Sequence, residues 1–476
     1  MKGLKMIKQF RVLIAVSALI ALPITVSAAY KADWTSLDSR PVPTWWSDAK
    51  FGIFIHWGIY AVPSYAPTDS SAGHGSICYS EWYHGRLLLK EKAFLEHHEK
   101  MYGNAPYANF ASQFRAENFK PAVWAKIFRK SGAKYVVLTS KHHDGYALWP
   151  SSRTPYFNSV AIGPGRDICG ELGDAVRAEG LKYGFYYSLY EYANPLCTKN
   201  FLNRSDVSPF SGKDWSAHMN FPQLRELVER YRADIIWPDG EWDFTDKELR
   251  SEEFLAWLYN ESSVRDHVVV NDRWGKGCRG RHGGHYTTEY GSVDGNGDAG
   301  EIHHPWEECR GIGRSFGYNR FETADDYMSA EGILELLAKT VSGGGNLLLD
   351  IGPTADGLIP PIMEARLMEV GKWLDSHGEA IYGTSRAHGV STRNSRVYLT
   401  SKKDYAYAIV FGDGSVAVRL ETSRPVALVE QIGDVPARQV KWRQNGSSVV
   451  FEATPRTGAA VAFKITLKKM HNDERL

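Results

Sequence analysis

Asp234-Ile-Ile-Trp-Pro-Asp-Gly-Glu-Trp-Asp243 holds a strand, its end and two carboxylates in one short run. Ile235, Ile236 and Trp237 form the uninterrupted apolar stretch of a parallel strand buried on both faces. Pro238 removes a ladder donor and Gly240 permits a sharp turn, so the strand stops there. Asp239 therefore stands at a C-terminal strand tip, flanked by Trp237, Trp242 and a second carboxylate, Glu241. In a (β/α)8 barrel that end carries the chemistry.

Outward from this stretch the chain alternates strand and helix. Phe51 to Trp57, Tyr135 to Lys141, Lys182 to Ser188, Val268 to Arg273 and Gly345 to Ile351 read as further strands. Between them lie helical patterns such as Pro121 to Lys130, with proline at its start, and Asp167 to Ala178, with Asp167 as cap. A third helical pattern runs from Asp325 to Val341. Alternation of this kind implies parallel pairing through right-handed crossovers. Six strands are legible, and the expectation is a (β/α)8-like barrel whose remaining strands lie near Trp306 or are degenerate. An open doubly wound sheet lacks support, because Gly295 to Gly300 matches a dinucleotide fingerprint in letters only, with no strand before it. Past Gly378 short alternating strands separated by Gly, Asp and Asn turns indicate a small β-sandwich, which we read as a cap on the barrel. The expected division is a leader at 1–28, a catalytic domain at 29–385 and the sandwich at 386–476.

The leader has the pattern of an export signal: Lys2, Lys5, Lys8 and Arg11, an apolar core from Val12 to Leu22, then Val26-Ser-Ala28. It implies a secreted or periplasmic protein with no membrane span once cleaved. A formal net charge of +1 gives no reason to expect nucleic acid as a partner. The five cysteines are widely spaced, without a metal or redox motif. Aromatic residues reach 13%, with 15 Trp and 25 Tyr, an excess that a sugar-facing surface requires.

Polar residues recur at strand ends: His56, then His142 and His143, then Tyr186 and Tyr187, Asp239, and Arg273. Together they form an inventory for binding a polyol, whose hydroxyls need donors and acceptors and whose C–H faces need rings. A metal reading of His142-His143 is weak, since neighbours on a strand point to opposite sides and no third ligand is spaced to join them. No nucleophile elbow is present for serine chemistry. Two carboxylates across a sugar pocket remain the economical chemistry.

Phe54-Ile-His-Trp-Gly58, Ser80-Glu-Trp-Tyr83, Lys141-His-His-Asp-Gly145, Trp237-Pro-Asp-Gly-Glu-Trp242, Asn271-Asp-Arg-Trp274, Trp306-Glu-Glu-Cys309, Ser315-Phe-Gly-Tyr318 and Asn346 to Pro353 resemble the α-L-fucosidases of glycoside hydrolase family 29. The resemblance spans roughly residues 40–385. It implies a (β/α)8-like barrel with a C-terminal β-sandwich, a retaining mechanism on a terminal fucose of a glycan or oligosaccharide, and no metal or other cofactor. It makes Asp239 the nucleophile and places His56, Glu81, Trp82, His142, His143, Tyr187, Trp237 and Arg273 around the sugar. The acid/base falls to Glu289 or Glu307. Glu289, in a Gly-rich excursion, is preferred, while Glu307 reads as a strand-end residue holding Arg273 or a sugar hydroxyl. Oligomeric assembly stays open.

Overall fold

A computed structural model describes residues 29–68, 78–194, 197, 212–291, 304–456 and 458–468. The leader expected at 1–28 and the glycine loop at 295–300 lie outside them. Eight parallel strands form one sheet: β1 (Phe51–Ile55), β2 (Tyr135–Lys141), β3 (Lys182–Ser188), β4 (Ile235–Asp239), β5 (Val269–Val270), β6 (Tyr286–Glu289), β7 (Trp306–Gly311) and β8 (Asn346–Ile351). The order is β5-β4-β3-β2-β1-β8-β7-β6. At the seam, Gly284 N–H donates to Asn271 O at 3.1 Å and His285 N–H to Val270 O at 3.1 Å, which brings the two edges together into a barrel. Glycine is required there, because a Cβ on Gly284 would stand 1.8 Å from Val270 O.

Alternation along each strand sorts side chains between two cores. Phe54, Val137, Tyr186, Ile235 and Trp237 turn into the barrel and meet Trp46, which closes its floor. Ile53, Ile55, Val136, Leu138, Phe185, Tyr187 and Ile236 turn outward against the helices. Asp239 shares the parity of Ile235 and Trp237, so the carboxylate faces inward at the mouth. The helix Pro121–Lys130 begins on its proline, and Asp167 accepts Gly170 N–H at 3.0 Å to cap Ile168–Ala178, as expected. The helix expected from Asp325 instead begins at Ala330: Thr323 and Asp326 cap each other around a separate single turn, and Ser329 caps Ala330–Ser342.

Beyond the barrel, antiparallel strands from Ser385 to Leu467 build a four-stranded and a six-stranded sheet. The chain is thus a (β/α)8-like barrel with a C-terminal β-sandwich. Val418, Leu420, Val449, Phe451, Phe463 and Ile465 fill the space between the sheets. Tyr407, Ile409, Phe411 and Ala462 belong to the barrel's outer core instead. Trp373, on the helix Pro361–His377, donates its indole N–H to Ala460 O at 2.8 Å. All five cysteines are buried and none is in a disulfide. Among the described residues no helix is long and apolar enough to cross a membrane.

Candidate active site

The strand ends converge on a cavity of about 120 Å³, open to solvent on one side. This size suits one small ring. His56, Glu81, Trp82, His142, His143, Trp237, Asp239, Arg273 and Glu289 line it, together with Phe54, Tyr79, Tyr186, Trp242, Arg279, Cys309 and Phe316.

Asp239 is gripped on both oxygens. Arg273 Nη1 donates to Oδ1 at 2.6 Å, and the Tyr186 hydroxyl donates to Oδ2 at 2.9 Å. His143 Nε2 lies 3.6 Å from Oδ2. Burial acts to raise the carboxyl's pKa, but the Arg273 cation and His143 outweigh it and hold Asp239 down at about 2. The group is an anion at any working pH, set inside an aromatic frame. Arg273 is itself fixed: Nε donates to Thr287 Oγ1 at 3.0 Å, and the guanidinium stacks 4.4 Å from the Trp237 ring centre.

The same guanidinium reaches the second carboxylate. Its Nη2 lies 3.5 Å from Glu289 Oε2, while the Tyr79 hydroxyl donates to Glu289 Oε1 at 3.1 Å. Glu289 is not in a loop, as expected, but is the last residue of β6. Glu307 is elsewhere. It is the second residue of β7, 1% exposed inside the barrel below the cavity, and does not line it. Tyr135 donates to its Oε1 at 2.5 Å and Trp237 Nε1 to its Oε2 at 2.9 Å, with His285 Nε2 at 3.3 Å. The expected contact with Arg273 is therefore replaced by a hold on Trp237, the ring beneath Arg273.

Tyr187 also departs from expectation. Its parity turns it out of the barrel, where its hydroxyl meets Lys141 Nζ at 3.1 Å and Gln223 Oε1 at 2.8 Å. Tyr186 takes the position at Asp239, a choice that the period of two along Lys182–Ser188 contains once one inward residue is known. The reverse correction applies to His142 and His143, which both line the cavity. The chain leaves the strand after Lys141 and turns, with Gly145 N–H donating to His142 O at 3.1 Å, so strand parity no longer separates them. Their ring centres lie 4.2 Å apart.

Three further groups are set by burial. His56 packs against Asp350, Nδ1 to Oδ1 at 2.6 Å, and desolvation lowers its pKa to about 3. His143 falls to about 4 for the same reason, its Nδ1 sharing a hydrogen bond of 2.5 Å with Ser188 Oγ. Both are neutral imidazoles, able to serve hydroxyls as donor or acceptor. Glu81 moves the other way: burial raises it to about 7 although Gly317 N–H (2.9 Å) and Ser315 Oγ (3.1 Å) donate to it. Glu241, buried beside Asp239, faces Arg279 Nε at 3.4 Å rather than the cavity. Among the described residues no cluster of His, Cys, Asp and Glu is arranged to hold a metal ion.

A parallel barrel with an ionised aspartate, a second carboxylate on the same arginine and indole walls defines a glycoside hydrolase. The family profile described as Alpha-L-fucosidase matches residues 19–379, and the chain belongs to this family, glycoside hydrolase family 29. Tissue alpha-L-fucosidase of Bos taurus is 43% identical over 453 residues, covering 92% of this chain and 91% of that protein. The Rattus norvegicus tissue enzyme is 43% identical over 389 residues, covering 80% and 79%. The crystal structure of Thermotoga maritima alpha-fucosidase in complex with fucose superposes with a TM-score of 0.77 at 35% identity, covering 92% of this chain and all of that one. The enzyme is an α-L-fucosidase.

Proposed function

We propose that the enzyme is a retaining, exo-acting α-L-fucosidase that removes a terminal α-L-fucose by double displacement. Asp239 attacks the anomeric carbon while Glu289 gives its proton to the departing glycosidic oxygen, leaving a β-fucosyl ester. Glu289, now a carboxylate, takes a proton from water, which attacks the same carbon and frees Asp239 and α-L-fucose. The observation that carries this reading is the shared Arg273, which holds Asp239 ionised and brings Glu289 to the same cavity. His56, His142, His143, Trp82 and Trp237 supply hydrogen bonds and ring faces to the sugar, and protonated Glu81 donates to one of its hydroxyls. Chemistry between two carboxylates calls for no cofactor. The leader at 1–28 supports export, and with it a periplasmic or secreted site of action on fucosylated glycans.

A second reading rests on Glu81, which at about 7 is itself a protonated carboxyl in the cavity and a rival for the acid role. The leaving-group comparison given below separates the two.

The test of retention is proton NMR of p-nitrophenyl α-L-fucoside hydrolysis in D2O. The first fucose signal should be the α anomer, with β appearing only as mutarotation proceeds. A β anomer appearing first contradicts the double displacement.

A further inference from the structure

The far end of the barrel holds a second cleft, where the strands begin and the sandwich leans against them. Lys50 follows the helix Thr44–Ala49 and enters β1 with φ of 61°, a left-handed conformation uncommon for lysine. The residue is 3% exposed and lines the cleft, and among the described residues its side chain makes no hydrogen bond or ion pair, with Asp48 as the charge that attracts it from farther off. Burial drags its pKa to about 8 even though Asp48 attracts the charge.

Lys50 lines a cleft of about 580 Å³ with a marked excess of positive charge. Arg386, Lys402 and Lys403 border it, against Asp48 as the one carboxylate among its lining residues. Gly383 seats Lys402 and Asp48 close together: a Cβ there would stand 3.1 Å from Lys402 Nζ and 3.9 Å from Asp48 Oδ1. Asp48 can offset one of these cations and not the rest. Arg386 is held in place by donating Nη2 to Gly343 O at 2.9 Å. Trp306 contributes an indole wall. The barrel's chemistry uses none of these residues, which lie at the opposite strand ends from Asp239.

We propose that this cleft binds an oxyanion, a sulfate, phosphate or carboxylate group, with Lys50 as its buried counter-ion and Arg386 and Lys402 at its rim. An anion there supplies the close partner that Lys50 lacks, and charge-assisted hydrogen bonds are strong. The same chemistry fits a free inorganic anion or an acidic substituent on a sugar seated in the cleft.

Thermal unfolding of the full chain tests this at pH 7, with inorganic sulfate, inorganic phosphate, N-acetylglucosamine 6-sulfate and N-acetylglucosamine as probes against chloride of equal ionic strength. Sulfate or phosphate should raise Tm saturably, as a ligand of the native state does. Lys50→Met should weaken that response by about tenfold or more, with kcat/KM on p-nitrophenyl fucoside unchanged. If Lys50→Met does not fold, the surface pair Lys402→Ala/Lys403→Ala is read instead and should weaken the response in the same direction. Tighter binding of N-acetylglucosamine 6-sulfate than of sulfate supports a sugar substituent; equal binding supports the free anion. The proposal is overturned if sulfate and phosphate act no differently from chloride, if the folded variants respond like the parent, or if uncharged N-acetylglucosamine binds as well.

Discussion

At the scale of single residues the division of labour among carboxyls follows from their neighbours. Asp239 has a cation and a hydroxyl on its oxygens and stays ionised; Glu81 has burial and two weaker donors and stays protonated to about pH 7. The sign for Glu81 is that of an acid raised in the folded state: its protonated form is complete below the ordinary carboxyl range and is lost as pH rises through 7. If that proton serves the sugar, kcat/KM should decline above about pH 7, and Glu81→Gln should remove this limb while lowering the plateau. An unchanged limb in Glu81→Gln assigns it to another group. Glu289→Ala should lose far more activity on natural disaccharides than on aryl fucosides with good leaving groups, because an acid matters most where the leaving group is poor. Glu307→Ala should lose activity on both alike, since it acts through Trp237 and Arg273. Should Glu307→Ala or Glu81→Gln show the steep leaving-group dependence and Glu289→Ala not, the acid role moves to that residue.

At the scale of elements, legibility tracks what a strand must carry. β1, β2, β4 and β8 are apolar on both faces and stand out in the sequence. β6 and β7 do not, because Thr287, Glu289, Glu307 and Glu308 take positions that an ordinary strand gives to Val or Ile; function has overwritten the pattern. β5 is two residues long and is continued by loop. Asp239 as candidate nucleophile, Arg273 and the aromatic frame were readable because strand ends are marked by breakers such as Pro238 and Gly240. The exchange of Tyr186 for Tyr187 was a matter of parity, which an apolar strand leaves unmarked. The seam is where an element is most exposed to change. Gly284→Ala would push a methyl into Val270 O, so the barrel edge must open; a loss of about 3 kcal/mol or more in denaturant unfolding is expected. A loss below 1 kcal/mol shows the seam to be slack.

At the scale of the whole molecule the sandwich is built into the barrel's outer core rather than tethered to it. Tyr407, Ile409 and Ala462 pack there, and Arg396 bridges to Glu335 at 2.7 Å on the helix Ala330–Ser342. The sequence reading preferred a capping role for this domain over sugar binding, and packing of this kind is what a cap on the barrel requires. Trp373→Ala removes the central ring of the contact and its hydrogen bond to Ala460. Stability should fall by about 3 kcal/mol with kcat/KM little altered at temperatures where the protein stays folded. Full stability in the variant means that the sandwich does not brace the barrel.

That Asp239 is the group that attacks the sugar is tested most directly by Asp239→Ala assayed with and without azide on p-nitrophenyl α-L-fucoside. The variant should fold normally and lose roughly three or more orders of magnitude in kcat. Azide should restore part of the turnover by entering the vacated face and should yield β-L-fucosyl azide, identifiable by its anomeric coupling in NMR. Near-normal hydrolysis by Asp239→Ala, or an α-configured azide product, contradicts the assignment.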